Sequence, residues 1–234
     1  LAQVEPHRYS ACIRAREMAQ VGPAGLNLQS ANPRPPVRKS LDKSQPLLKV
    51  HDLRTYFDVG AGLRFFKSAR LEVRAVDGLS FEVFRGETVG LVGESGCGKT
   101  TTCLSLVGLL PAGAHIVGGS IDYQGEDLTQ KSPPAMRHIR GSQIAMILQD
   151  PMASLNPLLS IATQVGEPAY YHQHLRGRTL RQRIRDLLHA VRIPSPDVRM
   201  REYPHQMSGG MRQRIVGAIG ISCGPRLLIA DEPT

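Results

Sequence analysis

Eight consecutive residues combine backbone freedom with charge: Gly93-Glu94-Ser95-Gly96-Cys97-Gly98-Lys99-Thr100. They fit the pattern G-x-x-x-x-G-K-[ST]. Glycines let a backbone wrap closely around an anion, and successive N–H groups turned inward form a nest for it. A helix starting where such a loop ends adds the positive end of its dipole. Lys99 supplies a full charge for β- and γ-phosphates. The Thr100 hydroxyl is a natural Mg²⁺ ligand, with phosphate oxygens and water completing an octahedron. The chemistry this spacing suits is the binding of a nucleoside polyphosphate with Mg²⁺. A Gly-rich turn matches the pattern by chance unless a strand precedes it and a helix follows.

Two later stretches extend that chemistry. Leu227-Leu228-Ile229-Ala230-Asp231-Glu232 reads as an apolar strand delivering two carboxylates to a sheet edge, where ligands sit in open α/β folds. Asp231 can hold Mg²⁺ through water, and Glu232 can polarise an attacking water. Alone, a strand ending in Asp-Glu also reads as a turn. Ser208-Gly209-Gly210, ahead of a helical stretch, makes a second anion-binding helix start. One phosphate loop accounts for one nucleotide, and there is no second lysine motif. The second helix start is therefore expected to meet a nucleotide held by a partner domain; an ordinary capped helix is the alternative.

These residues need elements to position them. Residues 1–45, punctuated by Pro23, Pro33, Pro35 and Pro36, read as an extension or linker with one short helix over 10–20. From Leu47, LLKVHDLRTYF alternates as a half-buried strand does. A loop is expected over 58–70. VRAVDGLSFEVF predicts two short strands joined by a turn at Asp77-Gly78. TVGLVG, residues 88–93, reads as a buried parallel strand, followed by helix over 99–110 up to Pro111. SIDYQG and SQIAMILQ are further strand candidates. Within 151–205, RTLRQRIRDLLHAVRI predicts an amphipathic helix with Leu180, Ile184, Leu187, Leu188 and Val191 on one face and solvated arginines on the other.

Composition excludes several classes. The chain carries 29 Lys and Arg against 20 Asp and Glu, a net charge of +9. Such a balance suits nucleic acid or an anionic membrane surface, but the positives are spread out and no basic run is interleaved with aromatics as single-strand binding requires, so no nucleic acid is expected and the charge reads as solvated faces and a basic tail. Four cysteines without a CxxC pair predict neither zinc nor disulfides, which suits a reducing cytoplasm. No apolar run reaches the roughly 18 residues of a membrane span, so the chain is expected to be soluble or attached to a membrane through a partner.

GESGCGKT, MILQDPMASLNP, YPHQMSGGMRQR and LLIADEPT, in that order, resemble the Walker A, Q-loop, signature and Walker B motifs of ATP-binding cassette (ABC) ATPases. The wording QDPMASLNP, SGGMRQR and GLLPAGAHIVGGSI is most similar to the ATPase subunits of oligopeptide, dipeptide and nickel importers. The resemblance implies an α/β P-loop core with an antiparallel β subdomain and an inserted helical subdomain. The expected layout is residues 1–45 as extension and 46–234 as the ATPase domain, with the helical part over about 150–224. By position it implies that Gly93 to Thr101 cradle ATP, that Thr100, Gln149 and Asp231 serve Mg²⁺, and that Glu232 is the catalytic base with Gln149 sensing the attacking water. Phe57 aligns with the adenine-stacking aromatic, with Tyr56 as runner-up, and Ser208, Gly209 and Gly210 face ATP on a second cassette.

The implied function is ATP hydrolysis driving import of peptides or related small solutes. It would be carried out with a second ABC ATPase domain and transmembrane permease subunits, peripherally on the cytoplasmic face of the membrane. A soluble ABC ATPase acting on nucleic acid or the ribosome, and a nucleotide-binding fragment without turnover, are the alternatives. The family continues beyond Walker B, so both ends of the sequence read as cut. HRYSACIRA, at 7–15, weakly resembles the tail of such an ATPase, which would place two cassettes in tandem. Met207 and Met211 depart from the family's Leu and Gln. Gly217 and Gly220 predict a weaker helix after the signature, each costing about 1 kcal/mol relative to Ala. Cys97 reads as a small filler of the loop, not a redox switch.

Overall fold

The computed structural model describes residues 2–5, 8–10, 44–59 and 71–231. The helix expected over 10–20 lies outside them except for Ser10, which ends a short antiparallel ribbon of β1 (Ala2–Glu5) and β2 (Arg8–Ser10). Most of the 58–70 loop is also outside. The rest falls into two compact units, Leu1–Thr129 and Gln130–Thr234.

The first unit is built on an antiparallel sheet of β3 (Leu48–Val59), β4 (Leu71–Val83), β5 (Ala114–Tyr123) and β6 (Glu126–Asp127), in the order β4-β3-β5-β6. The expected alternation in β3 is present, with a change of phase. Leu48 and Val50 are buried, and so are Leu53 and Thr55. Val50 pairs with Phe81 and Leu53 with Leu79, so β3 carries one extra residue there, where Asp52 adopts φ 48. The bulge moves burial from even to odd positions.

Two expectations are corrected in this unit. Asp77-Gly78 is not a turn between two strands, because residues on both sides of it pair with β3. Leu53 opposes Leu79 and Arg54 opposes Asp77, which leaves Gly78, at φ 81, as the extra residue of a bulge inside one strand. The same positive φ that suits a hairpin turn suits such a bulge. Nor do residues 88–93 form a strand: they have no regular secondary structure, and Val89, Leu91 and Val92 are exposed by 46%, 37% and 55%. A parallel strand needs ladder partners on its flanks and cover on both faces. Among the described residues no strand pairs with this segment.

Helix α1 (Lys99–Leu106) is shorter than expected, ending ahead of Pro111. It is fixed to β3 by a buried pair, Thr55 Oγ1 and Ser105 Oγ, 3.0 Å apart. Ser105 Oγ also donates to the Thr101 carbonyl, so burying these hydroxyls leaves neither oxygen unpaired.

The second unit contains α2 (Pro133–Ile139), β7 (Ile144–Ile147), α3 (Pro151–Ser154), α4 (Ile161–His172), α5 (Gly177–Ala190), α6 (Pro196–Arg199), α7 (Gly209–Ile221) and β8 (Leu227–Ala230). Strands β7 and β8 pair in parallel, Ile144 with Leu227 through Ile147 with Ala230. Ile161 and Val165 of α4, Ile184 and Leu188 of α5, and Ile215 and Ala218 of α7 form one core. The amphipathic reading of α5 holds: Ile184, Leu187 and Leu188 are buried, with Leu180 and Val191 packed against the same cluster. Its arginines are not all solvated. Arg183 donates twice to the Ser222 carbonyl at the end of α7, at 2.7 and 3.2 Å, and Arg185 forks onto Asp197.

Candidate functional site

The loop from Gly93 to Gly98 closes around the side chain that follows it. Lys99 Nζ donates to the Gly93 and Glu94 carbonyls, both at 2.9 Å, and lies 3.9 Å from Cys97 Sγ. Cys97 N–H donates to the Glu94 carbonyl, tightening the turn. Gly98 caps α1 at φ 91, and a Cβ there would meet the Ala75 carbonyl oxygen of β4 at 2.3 Å. This close approach seats the loop against the sheet and explains why a side chain at 98 is not accommodated. The first turn of α1 holds no acidic residue, so its positive end is not neutralised from within. Glu94, Ser95, Gly96, Cys97 and Thr100 are exposed, and Gly93, Gly98, Lys99 and Thr101 half-buried. Cys97 is thus not packed as a filler. An ammonium resting on loop carbonyls, at an open helix start with a hydroxyl beside it, is a donor set that fits a polyphosphate and its cation.

In the second unit, the parallel register brings two predicted residues to one edge. Asp231 directly follows Ala230, and Gln149 lies two residues beyond Ile147, its register partner. Asp231 N–H donates to the Ile147 carbonyl at 2.9 Å. Asp231 is buried and Gln149 exposed, so the pair spans from the interior to the surface at the C-terminal end of both strands. Glu232 lies outside the described residues. Ser208 caps α7, its Oγ accepting from the Met211 N–H at 3.4 Å, with Ser208, Gly209 and Gly210 exposed. Met207 is buried in the helical core and Met211 packs against it, so a thioether fills both departures from the family pattern.

The two aromatics of β3 differ in their commitments. The Tyr56 hydroxyl donates to Asp77 at 2.8 Å, and its ring lies under the Arg74 guanidinium, 5.4 Å from the centroid. The hydrogen bond holds the phenol above, and Asp77 below, the usual range for each. Phe57 is half-buried, and its register partner Val73 lies two residues before Ala75, on which the loop rests. Alternation puts the two rings on opposite faces.

Sequence reasoning missed Gln164. It is buried in α4; Oε1 accepts from the Asn156 N–H at 2.8 Å, and Nε2 donates to the Asn156 and Leu159 carbonyls at 3.0 and 2.9 Å. Gln164 therefore fixes the stretch that follows Gln149, in which Leu158 stands 83% exposed. A glutamine on an amphipathic helix carries no signal that distinguishes this role from solvation.

The chain was compared with known proteins. The family model described as ABC transporter matches residues 76–234. The oligopeptide transport ATP-binding protein AppD of Bacillus subtilis is 46% identical over 80% of this chain and 55% of its own length. The dipeptide transport ATP-binding proteins DppD of Bacillus subtilis and Escherichia coli are 48% and 47% identical over 81% and 69% of this chain, and 54% and 49% of theirs. The chain thus spans about half the length of the curated relatives it matches. Among solved structures, the ATP-binding cassette MJ0796 bound to ADP and Pi shares the fold at TM-score 0.68 and 22% identity, over 80% of this chain and 74% of that one. The cbiO1 protein of Clostridium perfringens does so at 0.62 and 25%, over 81% and 66%. A family model over two thirds of the sequence, with relatives at close to half identity, establishes that the chain belongs to the ABC transporter family.

Proposed function

We propose that the chain is the ATP-binding and ATP-hydrolysing subunit of an importer of peptides or related small solutes. It works with a second cassette and with permease subunits, peripherally on the cytoplasmic face of the membrane. The observation that carries this reading is the Lys99 ammonium held inside an open glycine loop at the start of α1. The names of the relatives, transport proteins for oligopeptides and dipeptides, support the solute class.

MgATP supplies the phosphoanhydride bond whose hydrolysis releases the energy. Lys99 exchanges loop carbonyls for phosphate oxygens, at little cost because the ammonium already sits in the loop. The N–H groups from Gly96 to Thr101 hold the remaining phosphate charge. Among the described residues no cluster of His, Cys, Asp or Glu gathers to hold a resident metal. Mg²⁺ arrives with the nucleotide and takes Thr100, Gln149 and Asp231 from the protein, directly or through water. Glu232 accepts the proton of the attacking water. Phe57 is the base-stacking ring, since Tyr56 is committed to Asp77 and Arg74. Ser208 and the glycines after it present a helix start to the nucleotide of the second cassette.

Calorimetric titration of this chain with MgATP, beside Lys99→Ala, tests the reading. Saturable binding that Lys99→Ala abolishes is expected. Equal heats from both proteins would refute the phosphate site.

A further inference from the structure

We infer that the groove walled by α4, α5 and α6 docks an anionic phospholipid, its headgroup phosphate between Arg181 and Arg201. The groove has a volume of about 270 Å³, with Ala162, Leu180, Ile184 and Met200 as an apolar bed and Arg181, Arg201 and Asp197 at its edge. An apolar bed beneath a cationic edge is complementary to an amphiphile with a negative head.

Charge around the groove is unbalanced. Residues 170–201 hold eight arginines and two aspartates. Asp197 is the one carboxylate among the lining residues, and both its oxygens are taken by the Arg185 fork, the shortest contact at 2.6 Å. Arg181 reaches it only at 3.9 Å, and Arg201 acts on it through its field alone. Asp197 therefore neutralises Arg185 and leaves the charges of Arg181 and Arg201 in surplus. At 3.6 residues per turn, Arg178 and Arg181 fall about 60° apart on α5, and both are exposed. Two such charges along one flank, with Arg201 across the groove, match a continuous negative plane better than a single acidic side chain of a protein partner. Val198, 57% exposed next to Asp197, offers an apolar side chain for the interface. The lining includes no aromatic on which a nucleic-acid base could stack. Among the described residues no helix is long and apolar enough to cross a membrane, so this contact would be a surface one.

The groove belongs wholly to the second unit and does not involve Lys99, so the result below stands or falls separately from nucleotide binding. The full chain is floated with vesicles of phosphatidylcholine alone, or with about one third phosphatidylglycerol, at about 0.1 M salt. Binding to the anionic vesicles only is expected, weakening as salt rises. Each arginine near an anionic surface contributes about fivefold in partition, so the Arg181→Ala/Arg201→Ala pair lowers binding about 25-fold. The pair Lys49→Ala/Arg85→Ala, in the first unit, leaves it within about twofold. Circular dichroism confirms that the variants are folded. Equal binding to neutral vesicles, or equal losses in both pairs, overturns the proposal. So does a titration in which polyuridylate or polyglutamate, but not vesicles, requires Arg181 and Arg201; it would assign the groove to nucleic acid or to an acidic protein segment.

Discussion

Alanine at Gly98 and at Gly96 separates conformational strain from close packing in the glycine loop that encloses Lys99. Both residues lie in the left-handed region, at φ 91 and φ 82, so alanine at either costs about 1–2 kcal/mol in backbone strain. At Gly96 the added Cβ meets no heavy atom within 4 Å. At Gly98 it lies 2.3 Å from the Ala75 carbonyl oxygen and 3.3 Å from its carbon, where ordinary contact begins at 3.4 Å. The oxygen must retreat by about 1 Å, and it belongs to the backbone of a paired strand, not to a flexible side chain. Overpacking of that kind costs about 1–3 kcal/mol more. Gly98→Ala is thus expected to destabilise by about 2–5 kcal/mol, and Gly96→Ala by about 1–2. Urea unfolding of both proteins measures the difference, and ATP titration shows how much of the loop's displacement reaches the phosphate site. At 1.4 kcal/mol per factor of ten, a loop displaced by that strain binds nucleotide at least about fivefold more weakly in Gly98→Ala than in Gly96→Ala. Equal unfolding midpoints would mean that the loop does not rest on β4, and the seating argument would fail.

Gln164→Leu keeps the volume but strips three hydrogen bonds from the loop after Gln149. A loss of about 2–4 kcal/mol and faster proteolysis within 155–160 are expected; an unchanged urea midpoint would dismiss the staple. In α7, Gly217→Ala meets open space and should gain about 1 kcal/mol. Gly220→Ala should gain less or lose, because its Cβ would lie 3.2 Å from Ile147 Cγ1; paired urea midpoints decide. The Arg185 hydrogen bond holds the Asp197 carboxyl below its ordinary value of 3.8. A depressed folded value means the contribution is present above that range and lost as pH falls through the lowered one. Between pH 5 and pH 2 the wild-type midpoint should therefore fall more steeply than that of Asp197→Asn, and parallel curves would remove the ion pair from the account.

What was legible in the sequence was local. The turn of the glycine loop around Lys99 is encoded in contiguous residues acting through their own backbone, and so is the Ser208 cap, although the seat of Gly98 on Ala75 is not. Amphipathic α5 was equally readable, because its burial follows a period its own residues display. Strand phase was not: Asp52 and Gly78 are ordinary turn signals whose use as bulges depends on which strand lies alongside. TVGLVG shows the same limit from the other side. An apolar run states what surroundings it suits, and it becomes a strand only where a ladder is offered.

Charge followed the same rule. The surplus of +9 read as diffuse, since the basic residues are scattered along the chain. Folding redistributes their partners. Arg183 goes to a backbone carbonyl and Arg185 takes both oxygens of Asp197. One carboxylate is thereby consumed by one arginine while two others stand beside the same groove. Counting charges by sequence interval already shows eight arginines against two aspartates over 170–201, and counting them after the hydrogen bonds are assigned narrows the surplus to Arg181 and Arg201. A basic composition becomes an argument for a partner only when that second count can be made, and here it selects one groove from a surface that composition alone treated as uniform.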